Sequence, residues 1–334
     1  METTPRVVAL GHPIVDVLSP CQDEQVAALG LEKGTMTLID HDDADRIYAG
    51  LGPATEASGG SAANTAACLA SLGAPVEFIG KVADDGLGEV FAHDIRAAGV
   101  RFEVAPAPAD SGPGTGRCLV MVTPDAEKTM CTSLGVGAYL QPEDIDGAAI
   151  SAARVLYLEG YLCGKDETSE AVDVAVASAH RAGTMVAFSA SDPAWVHLHL
   201  DELTALLDRV DILFANEPEA LGLSGCSDLD DAVQALAKRC PTVAVTLGKK
   251  GCVVAGTDGL VTIPARPVDH VVDTTGAGDS FAAGFLYGVI NDLGPEVSAR
   301  IGSLAAAEIV SHIGARPLTR LSGLAAEAGL IPRG

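Results

Sequence analysis

Basic residues are the scarce class in this chain. Lys and Arg number 21 against 45 Asp and Glu, giving a net charge of −24 over 334 residues. That balance argues against a nucleic-acid partner and against an anionic membrane surface, since both need a basic footprint. It favours solubility, with adaptation to salt as one origin. It also means that a phosphate site must build its positive potential locally, from amides, a metal and a few cations. Aromatic residues make up only 4% of the chain, so the core must pack closely with small side chains. The eight cysteines form no Cys-x-x-Cys pair and no zinc-like spacing, and reduced thiols in a cytoplasmic protein are expected. No charged segment followed by an apolar one opens the chain, so no signal peptide is expected. No apolar run has membrane-spanning length. A Walker A loop is missing as well, because Gly-x-x-x-x-Gly-Lys-Ser/Thr occurs nowhere.

What is present centres on residues 271–284. Val271 and Val272 end a strand-like segment, Gly276-Ala277-Gly278 makes a tight turn, and Ser280 to Ile290 reads as an apolar helix. A strand, a glycine turn and a helix start together form an anion site, because the first helical amides lack partners and the dipole favours negative charge there. An acid in such a site should repel phosphate. Asp279 therefore has two readings: a base that accepts a hydroxyl proton during attack on phosphorus, or an N-cap. A dinucleotide fingerprint fits poorly, since Phe281 stands where the third glycine belongs and the motif comes late in the chain.

From residue 142 onward, strands and helices alternate, which predicts a parallel sheet with helices on both faces. Short alternating segments between 100 and 134, with those at 14–18 and 35–40, predict a small antiparallel sheet. The expected fold is a three-layer α/β/α sandwich with a mostly parallel central sheet plus a β-sheet lid. Residues 1–12, 56–99 and 135–334 would form the large domain, and 13–55 and 100–134 the lid over the substrate pocket.

In such a sheet, polar residues beyond strand C-termini line the site. Asp16, past the strand Val7 to Leu10, is a ligand-facing acid or a turn cap. Asn64, among alanines after Gly59-Gly60, is a local cap or a donor–acceptor pair for a ligand. Glu159, Asn216 and Glu219, Thr246 to Gly251, and Thr274 follow successive strands. Asn216 and Glu219 suit magnesium-bound water near phosphates. Thr246 and Gly248 suit phosphate oxygens, whereas Lys249 and Lys250 read as solvated turn residues. Met36, Met130 and Tyr161 are either a flat apolar slot or core.

Val272-Asp273-Thr274-Thr275-Gly276-Ala277-Gly278-Asp279-Ser280-Phe281 resembles the C-terminal signature of the ribokinase-like (PfkB) carbohydrate and nucleoside kinases. Gly59-Gly60-Ser61-Ala62-Ala63-Asn64-Thr65 resembles their N-terminal signature, and Asn216-x-x-Glu219 their magnesium and phosphate motif. The resemblance runs from Gly11 to Pro317. The segments 35–40, 158–162 and 312–317 are similar to bacterial adenosine kinase-like and sugar kinase-like members. It implies ATP-dependent phosphorylation of a primary hydroxyl with Mg2+ and, in some relatives, a monovalent cation such as K+ behind the anion hole.

By position, the resemblance makes Asp279 the base and Gly276, Ala277 and Gly278 the anion hole. It places His12, Asp16, Gly59, Gly60 and Asn64 around the acceptor, with Glu159 and Met36 beside it. Thr246, Gly248, Gly251, Thr274 and Asn216 would meet the nucleotide, with Ser303 and Ala306 near its base and Glu219 at the metal. Three departures stand out: His12 where adenosine kinases commonly carry Asn, Lys128 for a lid Arg, and Ser303 for an Asn. Adenosine is the expected acceptor. A free sugar or another nucleoside is the alternative, and a non-catalytic nucleoside-binding protein is the reading from another class. The only partner expected besides the small molecule is a second copy, through the lid.

Overall fold

The computed structural model describes residues 6–125, 127–256 and 259–332. The first residues, on which the signal-peptide expectation bears, lie outside these, as do the outermost ends of the expected large domain and position 126 of the expected lid. Strands β1 (Val7–Leu10), β2 (Ile14–Pro20), β3 (Met36–Leu38), β4 (Thr55–Gly59), β5 (Val76–Ile79), β6 (Thr115–Val122), β7 (Lys128–Gly135), β8 (Val155–Glu159), β9 (Met185–Ser189), β10 (Ile212–Asn216), β11 (Thr242–Thr246), β12 (Cys252–Gly256) and β13 (Gly259–Ile263) make two sheets. The larger has the order β13-β12-β11-β10-β9-β8-β1-β5 and the smaller β3-β7-β6-β2-β4.

β1 shows why the large sheet is buried on both faces. All four of its residues are inaccessible, and it pairs in parallel with β5 and β8. Apolar side chains pointing both ways need a helix layer on each side. One layer holds the helices Ser61–Ser71, Ala277–Ile290 and Gly294–Ile309, and the other holds Asp166–Ala182 and Leu200–Leu207. β12 and β13 close one edge as an antiparallel hairpin. The result is a three-layer α/β fold with a mostly parallel large sheet and a smaller second sheet. Among the described residues no helix is long and apolar enough to cross a membrane.

The helix Ala277–Ile290 sits unusually close to its neighbour Gly294–Ile309. A Cβ on Gly284 would fall 2.5 Å from the Gly302 amide nitrogen, and one on Gly302 would fall 2.7 Å from the Phe281 carbonyl oxygen. Glycines therefore set the helix spacing. Phe281 and Phe285 pack edge-on against Phe214 of β10, with centroids 6.5 and 5.5 Å away. Those contacts fix where the helix begins relative to the strand ends.

Four expectations need correction. The segment at Val271 and Val272 is not a strand: both side chains are exposed, and no strand among the described residues pairs with them. Thr55–Gly59 belongs to the small sheet, paired with β2, rather than to the large one. The segment 100–107 runs along β5 instead of joining the lid, and Phe102 packs against Phe78 and Phe91. The small sheet is mixed, since β2–β6 and β3–β7 are parallel. Alternation of buried and half-buried residues holds along β7 but not along β6, where all residues but Val122 are buried. Alternation in any case does not report strand direction. Helices Asp23–Ala28 and His41–Gly50 lie on the same side of this sheet as Val17, Leu119 and Met121, while Ile14, Cys118 and Val120 form a cluster on the opposite side.

Candidate active site

A cavity of about 540 Å³ lies between the C-terminal ends of the large-sheet strands and the small sheet. His12, Asp16, Met36, Gly60, Asn64, Glu159, Asn216, Glu219, Thr246, Gly248, Thr274, Gly276, Ala277, Gly278 and Asp279 all line it. That volume falls in the range of sites for small organic molecules.

Asp279 occupies the third position of the helix Ala277–Ile290 and does not cap it; Gly276, at φ 77°, is the N-cap. The first amide to find a helical acceptor is that of Ser280, which donates to the Gly276 carbonyl. The Gly278 and Asp279 amides have no backbone acceptor among the described residues. Such amides at a helix start attract an anion. The Asp279 carboxylate accepts from Ser61 Oγ at 2.6 Å and from Asn64 Nδ2 at 3.1 Å. Burial pushes its pKa up to about 7, against the two hydrogen bonds, with the Glu159 charge adding to the rise. A carboxyl poised near neutral pH is a far better base than an ordinary one.

Asn64 is buried, and its Oδ1 has no hydrogen-bond partner among the described residues. A buried amide oxygen left unpaired is costly, and a ligand hydroxyl would satisfy it. Glu159 has a different role from the neighbours it was grouped with. Its Oε1 accepts from the His12 amide at 2.7 Å, and its Oε2 accepts from the Ala62 amide at 2.7 Å. Nδ1 of His12 lies 3.0 Å from Oε1. This carboxylate therefore joins the end of β1 to the start of the helix Ser61–Ser71. Asp16, on β2, makes no such bonds; burial raises its pKa to about 6, opposed by the charges of Arg316 and Lys128.

The floor gives way to a more apolar wall on the small-sheet side, formed by Ile14, Met36, Leu38, Cys118, Met130 and Leu134. Met36 and Met130 are register partners across β3 and β7. Tyr161 lines the cavity and packs against Trp195 with centroids 5.5 Å apart.

At the other end, Asn216 and Glu219 satisfy each other. The Asn216 amide donates to Glu219 Oε2 at 2.9 Å and its Nδ2 to Oε1 at 2.6 Å, while the Glu219 amide donates to Asn216 Oδ1 at 2.9 Å. This is a capping box on the helix Glu217–Ser224. Burial lifts the Glu219 pKa to about 7, helped by the charges of Asp192 and Asp279. No group of three or more such ligands converges to hold a metal directly among the described residues. An uncompensated acidic end with oxygen ligands fits a magnesium ion that keeps most of its water.

Several residues stand elsewhere. Gly59 is outside the cavity and makes room for Asp16, whose Oδ2 would lie 2.7 Å from a Cβ there. Gly251, at φ 105°, shapes the turn from β11 to β12, where a Cβ would meet the Ile263 carbonyl oxygen. Ser303 accepts the Arg266 amide at 2.9 Å and lines a separate shallow pocket. Ala306 packs against the helical core. Lys249 and Lys250 are exposed. Conversely, Ser61, Ser189, Ser191 and Asp192 line the cavity without having been singled out. Ser191 carries a positive φ of 77°, and its Oγ accepts the Gly160 amide. Only a serine immediately after the glycine pair offered a signal, at Ser61.

The pfkB family carbohydrate kinase description matches residues 51–320. The chain belongs to that family and is a kinase, of the kind that acts on nucleosides or sugars. Three relatives bracket it further. The crystal structure of adenosine kinase from Sinorhizobium meliloti superimposes with a TM-score of 0.91 at 42% identity, covering 98% of this chain and all of that one. Adenosine kinase of Saccharomyces cerevisiae is 29% identical over 93% of this chain and 96% of its own. ATP-dependent ribose-1-phosphate kinase of Halopiger xanaduensis is 32% identical over 81% of this chain and 86% of its own.

Proposed function

We propose that this kinase moves the γ-phosphoryl group of ATP to the primary hydroxyl of a nucleoside, with adenosine the first choice. The observation that carries the reading is the Asp279 carboxylate, held by Ser61 and Asn64 at a helix start where the Gly278 and Asp279 amides have no backbone acceptor among the described residues. The acceptor hydroxyl gives its proton to Asp279 as its oxygen bonds to the γ-phosphorus. The bond from that phosphorus to the β–γ bridging oxygen breaks, and ADP leaves. Positioning and charge neutralisation dominate such a transfer. The turn Gly276-Ala277-Gly278 would serve as the anion hole, its unpaired Gly278 amide and that of Asp279 meeting the developing charge on the transferred group. Magnesium, held through water by Glu219 and Asn216, would neutralise charge on the phosphates. Thr246, Gly248 and Thr274 flank the nucleotide.

Asp16 and the Asn64 oxygen suit the ribose hydroxyls. The apolar wall of Met36, Met130 and Leu134 supports a base in place of a free sugar, as does the likeness to the Sinorhizobium adenosine kinase. The alternative, a small sugar or sugar phosphate, draws on the likeness to a ribose-1-phosphate kinase. Coupled ADP release measured with adenosine, inosine, ribose, fructose and ribose 1-phosphate separates them. Turnover of a sugar with none of any nucleoside would overturn the nucleoside reading.

A further inference from the structure

We infer that Lys128 is a positioning residue that ties the seated lid to the shape of the anion hole. The inference rests on the proposed role of the Gly276–Gly278 turn. Lys128 opens β7 on the small sheet, and its Nζ lies 2.5 Å from Asp273 Oδ2 on the large body. Asp273 is itself a hub. Its Oδ1 accepts from the Thr275 amide at 3.1 Å and from Thr275 Oγ1 at 2.8 Å. Its Oδ2 also accepts the Gly314 amide at 3.1 Å. One carboxylate thus fastens the start of the glycine turn to the loop carrying Gly314 and Ala315. Gly276 is wedged against that same loop, since a Cβ there would fall 2.6 Å from the Ala315 Cβ.

The carboxylate is 5% exposed. Burial alone would raise its pKa, but hydrogen bonds from Lys128, Gly314 and Thr275 bring it down to about 2. Among the described residues, Lys128 is the one cation bonded to it. When the small sheet lifts away, Asp273 loses that cation, and the carboxylate that orients Thr275 keeps only its neutral donors from Thr275 and Gly314. An unpaired buried charge is costly, so the turn relaxes. The anion hole then takes its working shape only with the lid seated, and water gains less from an open site. Lys128, Asp273, Thr275 and Gly314 border a second cavity of about 370 Å³, together with Asp16, Asp94 and Arg316. Truncating the lysine therefore leaves space for a small soluble cation.

The test is steady-state kinetics of Lys128→Ala, Lys128→Arg and Asp279→Asn with whichever acceptor the wild type turns over. Lys128→Ala should lose kcat by about 30-fold, with the acceptor KM moved far less. Methylammonium should restore much of that loss while leaving the wild type unchanged, and Lys128→Arg should stay within about fivefold of wild type. If Lys128→Ala does not fold, Lys128→Met keeps the packed stem and should show the same kcat loss. Wild-type kcat in the truncated variant overturns the inference, and so does a loss that methylammonium leaves untouched in a folded Lys128→Ala. Asp279→Asn keeps the two readings apart. If it stays active, the proposed mechanism fails; if it is dead while Lys128→Ala is fully active, only the tie fails.

Discussion

Asn64 donates to Asp279 Oδ2 at 3.1 Å while its own Oδ1 stays buried without a partner among the described residues. One side chain thus holds the carboxylate and offers an acceptor to whatever enters. Asn64→Ala should raise the acceptor KM and lower kcat together, because it removes both functions. Asn64→Asp should be worse, by about 100-fold or more in kcat/KM, since a second carboxylate would sit against the first. Equal kinetics for the two variants would show that the charge beside Asp279 is unimportant.

Asp279→Asn should cut kcat by about 10³-fold, within the span usual for a positioned base, and leave acceptor binding by calorimetry within a few fold. An undiminished rate would remove Asp279 from the chemistry.

The rate should fall on the acid side with a limb in kcat/KM near pH 7, where Asp279 takes up its proton. Ser61→Ala deletes a hydrogen bond that favours the charged form, so that limb should move to higher pH. Stability has its own sign. The folded, ligand-free protein holds a proton on Asp279 up to about pH 7, whereas the unfolded chain releases it near 3.8. Stability from this group is therefore full below 3.8 and is lost as pH rises through 7. Glu219 and Asp16 act in the same direction. Asp279→Asn should melt above wild type at pH 8 and lose that advantage toward pH 4, read by differential scanning calorimetry.

Gly60 sits at φ 94°, and a Cβ there would lie 2.3 Å from the His12 carbonyl oxygen. Gly60→Ala meets strained backbone and a rigid neighbour at once, so a loss of about 2–4 kcal/mol is expected in denaturant unfolding. A change below 0.5 kcal/mol would mean that the turn can relax, as surface sites do.

Chelation of divalent metal should end turnover, and Glu219→Gln should require more magnesium to reach half-maximal rate without loss of fold. Magnesium titrations of both proteins check this. Coincident curves would exclude Glu219 from the metal's hydration shell.

The glycine turn, its helix and the polar strand ends were legible because each is local: a dozen residues carry the amides, the dipole and the acid. Glu219 follows from strand-end position in the parallel sheet, whereas Asn64 is signalled by the glycine pair before its helix and Asp16, a lone acid in an apolar segment, lies within β2 of the small sheet. The Lys128–Asp273 bond was not legible, since residues 145 positions apart leave no periodic trace. Glu159 looked like a ligand-facing acid, yet its oxygens are taken by the His12 and Ala62 amides, which only the folded chain brings together. Val271 and Val272 carry strand-forming side chains, but they join no sheet among the described residues, and the Val272 amide donates to the Val310 carbonyl after the helix Gly294–Ile309. Ser303 lines a separate pocket and Ala306 packs against the helical core, and spacing alone does not say which face of a helix meets the cavity.

β2 starts a few residues after β1 ends, and β4 runs straight into Gly60 and the helix that carries Asn64. The cover and the grip on the acceptor are therefore cut from one piece of chain. Any rocking of the small sheet drags Asp16 with it and tugs at the helix beneath. In the proposed reaction the alcohol would be delivered to Asp279 by the same stroke that shuts out solvent, so a mutation at either end alone would disturb capture and commitment together.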